Sequence, residues 1–433
     1  MRFAPIACAL LLVLAGCGAA PAGPSPTTTA TDAPTPAPTP TPTDAPTPAP
    51  TPTPTDAPTM TAEGVEVTIG DLPFDPDPVF ERVLALTGED VEPPDVHASG
   101  SAGPTNELTP PAFQRALGVD EPDEPLQLAG YVMPSDAGVR IYEHPDAANS
   151  TAAVESTLAH EFVHVVQVRN GWTEETRSQL PRIDGELTTD AGYTLGAISE
   201  GAATLYQDRY DREYLPSVRP ALAGELDQYR NASAYNRLVI APYALGGEYV
   251  EDRVAAGESL ESIHHDPPTS TEQLLHRTGD PIAPLNVTTN PEVEWAVVGE
   301  DTQGELFLRI VLRTELNRSA AVDAAHGWGN DRRITYDFGS ETGTAWVLRW
   351  DDTANATEFE RHFREYLAAK ATKEDGVWRQ DDGDATYRLR RVSDETVAVF
   401  LGDESFVRAA NATAPTGPAN LSVNVRVENA STG

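Results

Sequence analysis

Between Thr31 and Thr55 the unit "TDAPTPAPTPTP" is written twice and then begun a third time. Proline at every second position removes backbone donors and fixes φ, so this stretch can join neither a helix nor a sheet and favours polyproline II. About 40 residues in that form reach roughly 120 Å. Residues 17–60 therefore read as a tether, of the Thr-Pro kind that is often O-glycosylated. Whatever folds must be built after Met60, from about 370 residues, enough for two domains.

The stretch before the tether is of a different kind. Arg2 precedes an apolar run that ends at Val13, too short to span a bilayer, so residues 1–16 read as a secretory signal peptide. "LAGC", Leu14 to Cys17, resembles the lipobox of prokaryotic lipoproteins. The resemblance implies that Cys17 becomes a lipid-modified first residue and anchors the chain to the extracellular face of the cell membrane. Cys8 leaves with the signal, and no further cysteine remains for a disulfide. A hydrophobic core or a metal must then stabilise the fold.

The formal net charge is −37, and Lys370 and Lys373 are the only lysines. Such a chain repels nucleic acid and anionic membrane surfaces, which excludes both as electrostatic partners. It resembles the surfaces of extreme halophiles, where dissolved salt screens the self-repulsion. Eight of the fourteen asparagines lie in Asn-x-Ser/Thr sequons: Asn149, Asn231, Asn286, Asn317, Asn355, Asn411, Asn420 and Asn429. That share is well above chance and suits a glycosylated exterior protein.

Hydrophobic periodicity predicts an α+β chain with a boundary near residue 280. In 61–280, "PDPVFERVLALTG" and "PPAFQRALGV" read as helices, and "AGYVM" and "GVRIYEH" as strands around the turn "PSDAG". Three longer helices follow. The first runs from a Ser150/Thr151 cap to Asn170-Gly171, the second from an Asp190 cap to before Pro216, and the third from Pro242 to Gly257. In 281–433, "ELFLRIVLRTEL" and "EFERHFREYLAAK" are helical, while "RITYDF", "AWVLRW", "TYRLRRV" and "TVAVFLG" are strands of an antiparallel sheet. "DDGD", Asp381 to Asp384, reads as a hairpin turn rather than a calcium loop.

The chemistry concentrates in "LAHEFVHVVQ", Leu158 to Gln167. Val154, Leu158, Phe162 and Val165 form an apolar stripe at helical spacing, so His160 and His164 lie one turn apart and can share one metal ion. Glu161 projects beside them, where a carboxylate can take a proton from water. Zinc held by two histidines needs a third protein ligand, and Glu200 in "AISEGAATLYQ" is the candidate. Its neighbours Gly196, Ala197, Ala203 and Thr204 are small enough to let this helix approach the first. Tyr243 in "APYALGGEYV" can donate its phenol to a developing oxyanion, with His264 and His265 in reserve.

"HEFVH" followed by "SEGAA" is similar to the gluzincin clan of zinc metallopeptidases, and "PYALG" resembles the tyrosine motif of its aminopeptidases. The order of motifs resembles a group of secreted bacterial and haloarchaeal surface proteins. Those also carry segments like "PPTSTEQLLH", Pro267 to His276, "AAHGWGNDR", Ala324 to Arg332, and the strand "LRWDD". The resemblance implies a zincin-like helical domain with a small β region before it. It implies zinc on His160, His164 and Glu200, Glu161 as general base and Tyr243 as oxyanion donor. It also implies an edge strand, here "GVRIYEH", that pairs with an extended peptide or protein substrate. The aminopeptidase "GAMEN" motif is not found, and Ala202 stands where relatives often carry an aspartate. The expected activity is hydrolysis of peptide bonds at the cell surface. The alternative is a non-catalytic surface glycoprotein that keeps the zincin core for a structural or adhesive role.

Overall fold

A four-stranded sheet begins the folded part in the computed structural model, which describes residues 64–101, 109–121, 129–135, 137–142, 151–290, 294–380, 385–415 and 422–428. The signal, the tether, Cys17, Asn149, Asn420, Asn429 and the turn Asp381–Asp384 lie outside those residues. The sheet is built from β1 (Glu66–Ile69), β2 (Asp95–Ser99), β3 (Gly130–Val132) and β4 (Val139–Tyr142) in the order β1-β2-β4-β3. β2 is parallel to both β1 and β4, and β3 is antiparallel to β4. Val96, Val139 and Ile141 alternate toward the helices, and His97 and Arg140 point the other way. The expected strands thus form, with one correction. "GVRIYEH" is β4, hydrogen-bonded on both sides by β2 and β3, so the edge belongs to β3.

Two short helices accompany this sheet. α1 (Asp77–Thr87) starts beside Pro76 and stops at Gly88, whose φ of 78° returns its N–H to Leu84 O. It buries Val79, Phe80 and Val83, and Phe80 meets Phe162 edge-to-face at 5.1 Å. α2 (Ala112–Ala116) sends Phe113 into a core further along the chain.

The helical layer follows: α3 (Thr151–Arg169), α4 (Trp172–Gln179), the short pair β5 (Arg182–Ile183) and β6 (Glu186–Leu187), α5 (Thr189–Tyr214), α6 (Ala221–Asn231), α7 (Ala234–Ala255), α8 (Leu260–His265) and α9 (Thr271–His276). α5 and α7 differ from expectation at their starts. Thr188, not Asp190, caps α5, its hydroxyl accepting from Ala191 N. α7 begins at a Ser233 cap and carries Pro242 inside it, so Tyr243 lies mid-helix.

The second half has the expected α+β character. β7 (Asn286–Thr289), β8 (Ala296–Asp301), α10 (Gly304–Leu312) and α11 (Arg318–Ala325) lead into β9 (Trp328–Phe338) and β10 (Glu341–Trp350). Then come α12 (Thr353–Lys370), β11 (Ala371–Glu374), β12 (Val377–Gln380), β13 (Thr386–Arg391), β14 (Thr396–Gly402), α13 (Glu404–Ala409), β15 (Ala410–Thr413) and β16 (Ser422–Val427). Seven of these strands form an antiparallel sheet in the order β11-β12-β13-β14-β10-β9-β8, and β15, β16 and β7 form a small second sheet. β12 and β13 pair antiparallel on either side of the "DDGD" stretch.

β10 is buried on both faces, which accounts for its near-continuous apolar run. Trp346, Leu348 and Trp350 face a core with Phe307, Phe359 and Phe363, while Ala345 and Val347 face another with Phe406 and Val425. The first of these cores also takes in Phe113, Leu117, Tyr193 and Tyr235, so it crosses residue 280. Tyr366 Oη closes the join by donating to Leu117 O at 2.8 Å. Contacts group Gly64–Gly433 into one unit.

Candidate metal centre

α3 runs 19 residues without proline or glycine and ends where Gly171 turns the chain at φ 73°. From Ser156 to Gln167 this helix is buried except at His164, which is half-buried, so His160 faces protein and His164 keeps a small opening to the outside. His160 and Glu161 are each 1% exposed. The imidazole centroids of His160 and His164 stand 4.9 Å apart. Glu200 comes from α5 and places one carboxylate oxygen 3.2 Å from His160 Nε2 and 3.3 Å from His164 Nε2. Among the described residues these three form the one group of at least three His, Cys, Asp or Glu side chains with ligand atoms all within 4.8 Å.

What makes the group fit a metal ion is the wiring behind it. His160 Nδ1 donates to Gln207 Oε1 at 3.0 Å, and His164 Nδ1 donates to Gln167 Oε1 at 2.7 Å. The amides are oriented by their own partners. Gln207 Nε2 donates to Ser156 Oγ, and Gln167 Nε2 donates to Ser199 O and toward His264 Nε2. Gln167 Oε1 also accepts from Ser199 Oγ. With each Nδ1 carrying its proton, each Nε2 presents a lone pair to the space beside Glu200. Two imidazole nitrogens and a carboxylate are a donor set for a divalent transition ion.

The electrostatics agree. Burial works against the charge on both groups, yet contact with His164 outweighs it and holds Glu200 down to about 2. Against the same burial, Glu200 lifts His164 to about 9, with a smaller push from Glu161. A site that draws a proton so strongly between an imidazole and a carboxylate is one that stabilises a cation.

Glu161 lies against β3. A Cβ at Gly130 would come within 2.7 Å of Glu161 Oε1, so only glycine lets the strand lie this close to the carboxylate. The Tyr243 ring, 4% exposed, stacks on His160 at a centroid distance of 6.1 Å. His264 lies outside the ligand group. It is buried, stacks on Trp172 at 5.5 Å and shares a 2.8 Å hydrogen bond with Thr176 Oγ1. Burial, with His265 and His164 nearby, pushes it down to about 3, so it is neutral and serves to orient Gln167. His265 is at the surface, paired with Glu175 at 2.7 Å.

α5 approaches α3 as expected, with Glu200 reaching both histidines, and its small residues Ala197 and Gly201 also lie against α7. A Cβ on Gly201 would lie 2.3 Å from the Gly246 carbonyl carbon, and one on Gly246 would lie 2.2 Å from Ala197 O. The closest backbone approach at these glycines is between α5 and α7, and it is what brings Tyr243 beside the site. Ala202 is wholly buried, and the hydrogen bonds that steady the ligands come from Gln167 and Gln207 instead. Spacing alone could have pointed to these glutamines. Gln167 follows His164 by three positions, and Gln207 follows Glu200 by seven, both on the ligand's own helix face.

Of the sequons inside the described residues, Asn231, Asn286 and Asn317 are exposed, and Asn355 and Asn411 are half-buried. Asn355 Nδ2, the atom that would carry a glycan, donates to His326 O at 3.2 Å. No helix among the described residues is long and apolar enough to cross a membrane.

Comparison with known proteins yields one match. A family profile described as a domain of unknown function (DUF8575) covers residues 293–411, the region of the large sheet and not the metal centre. No curated protein and no solved structure matches the chain.

Proposed function

We propose that the chain is a zinc-dependent peptidase of the gluzincin type, tethered outside the cell by lipid on Cys17. The observation that carries this reading is the convergence of His160, His164 and Glu200 with both Nδ1 atoms committed to glutamine carbonyls. A zinc ion held there would supply Lewis acidity and lower the pKa of water to near neutrality. The protein's own groups then have distinct tasks. Glu161, one residue from a ligand and buried, takes the proton of the attacking water and later passes it to the leaving amine. Tyr243 donates its phenol to the oxyanion that forms at the scissile carbonyl. β3 lies against Glu161 at Gly130 and, as the edge strand among the described residues, would align an extended peptide backbone. The tether lets the domain work at some distance from the membrane. Its reach, roughly 120 Å, matters for substrates that are themselves large or surface-bound.

The test is metal content and hydrolysis measured on the same preparations. One zinc per chain and cleavage of a peptide library are expected for the wild type, with neither in His160→Ala. Glu161→Gln should keep the zinc and lose turnover by a factor of about 10² or more. Zinc with no hydrolysis of any peptide would instead support the structural or adhesive reading, and no metal in folded wild type would end both.

A further inference from the structure

One end of the first sheet runs against the charge of the whole chain. Acids outnumber bases by 67 to 30, so an arginine should find a carboxylate easily. Elsewhere arginines do so: Arg253 pairs with Glu258, Arg309 with Glu305, and Arg379 with Glu374 and Glu404. Arg140 and Arg169 depart from this. Neither side chain makes a hydrogen bond or ion pair among the described residues, and both line the same cavity.

That cavity, of about 150 Å³, lies where β2 and β4 begin, β3 ends and α3 runs out. His97 of β2 and Arg140 of β4 are register partners on neighbouring strands, about 4.8 Å apart, and both side chains point away from the helices. Arg169 comes from the last turn of α3. A place at a helix C-terminus accounts for one cation, but not for Arg140, which lies within a strand. His97 is a third group left idle. Its Nδ1 is buried and has no hydrogen-bond partner. Buried N–H groups without an acceptor are rarer than idle acceptors, so the ring proton belongs on Nε2, where it is a donor for the cavity.

The lining contains one acid, Asp95, exposed at the start of β2 and without an ion pair to either arginine. Like-charged side chains on neighbouring strands repel each other. Two guanidinium forks and an imidazole N–H offer donors and positive charge, with no acceptor among the described residues to answer them.

We propose that this cavity binds a small oxyanion of the phosphate or sulfate class, held by Arg140, Arg169 and His97. Guanidinium forks match the paired oxygens of such ions, and the charge strengthens each hydrogen bond. The volume is below the roughly 300–1,000 Å³ of pockets that take drug-sized molecules, so it suits one small group. Bound there, the anion offsets the repulsion between the cations and fastens the end of the histidine helix to β2 and β4. The site does not depend on the metal centre or on any peptidase activity.

Sodium phosphate is the probe, titrated into the full chain at fixed high potassium chloride. Binding is read by equilibrium dialysis with labelled phosphate and by the thermal midpoint. One phosphate per chain and a raised midpoint are expected, and both should persist in His160→Ala, which separates this site from phosphate on a bound zinc ion. Arg140→Gln should lower the affinity by about tenfold or more. Arg169→Gln, a surface change, should give a similar loss and serves if Arg140→Gln does not fold. Arg361→Gln, an exposed arginine paired with Glu358 and Glu365, should leave binding unchanged. Displacement by glycerol phosphate supports a site for a phosphate group carried on a larger molecule, and displacement by sulfate alone supports one for the free ion. No saturable binding to the wild type, or equal affinity in the wild type and the folded Arg140 and Arg169 variants, overturns the site.

Discussion

α5 carries two buried polar regions about ten residues, or roughly 15 Å, apart, and they are solved in opposite ways. Around Glu200 every histidine proton has an acceptor, both glutamine amides are oriented, and the charges come in a matched imidazole–carboxylate pair. Around Asp190 and Glu272 burial and neighbouring carboxylates act together against ionisation. The first arrangement fixes which nitrogen faces the ligand and so acts as a rigid site. The second leaves excess negative charge in a low-dielectric junction, which makes stability depend on protons and ions from the medium. In a chain of net charge −37 that second solution is unsurprising, because cationic partners are scarce.

The contrast can be broken most severely at its ordered end. Glu200→Gln removes the single carboxylate from the ligand group and should abolish zinc binding, as read by metal analysis of the dialysed protein. Gln207→Leu or Gln167→Leu frees an imidazole to rotate and to change tautomer. Zinc affinity should fall by about 10–100-fold while circular dichroism stays that of the wild type. If affinity were unchanged, the glutamines would be packing groups only.

A smaller effect is expected from forcing α5 away from α7. Gly246→Ala sets a methyl against Ala197 O, and overpacking of this kind costs about 1–3 kcal/mol, measurable by denaturant unfolding. Because Tyr243 rides on α7, hydrolysis should suffer more than zinc content.

The ill-balanced end sets the pH response. Burial first, then neighbouring carboxylates, pushes Glu272 up to about 8 from an ordinary 4.5. Burial does the same for Asp190, to about 7, and for Asp331, to about 6, both from 3.8. Folded carboxyls that hold their protons longer than unfolded ones contribute stability that is whole below about pH 4 and lost as pH rises to about 8. The thermal midpoint should therefore fall across that window, with less of a fall above pH 6 in Glu272→Gln. A flat profile would show that these acids are ionised in place. The mildest expectation is that raising salt increases the midpoint through screening of the whole surface, wild type and Glu272→Gln alike.

Much of this was legible beforehand, and the reason is range. α1, α3, the strand pairs and the amphipathic α12 show themselves in periodicity over a dozen residues, and "HEFVH" brings two ligands together within one helical turn. Glu200 could be named because small residues flank it, and Tyr243 because it stands in the motif "PYALG". What those small residues touch could not. Ala197 and Gly201 suit an approach to any helix, and only packing shows that they meet Gly246 of α7. The strand β4 looked like an edge because it lies next to α3 in sequence, yet strand order is set by which partners arrive from far along the chain, and β3 folds back outside it.

By itself, then, the sequence determined the α+β character, the helix bearing two histidines and the net charge of −37. These are properties of composition and short-range spacing, which no distant contact can undo. The tertiary structure alone decided the hydrogen bonds that aim each imidazole, the core that runs across residue 280 and the close approach of α7 to α5. Each of those depends on side chains from separate elements reaching the same few ångströms, and nothing in local spacing records which elements will pack together.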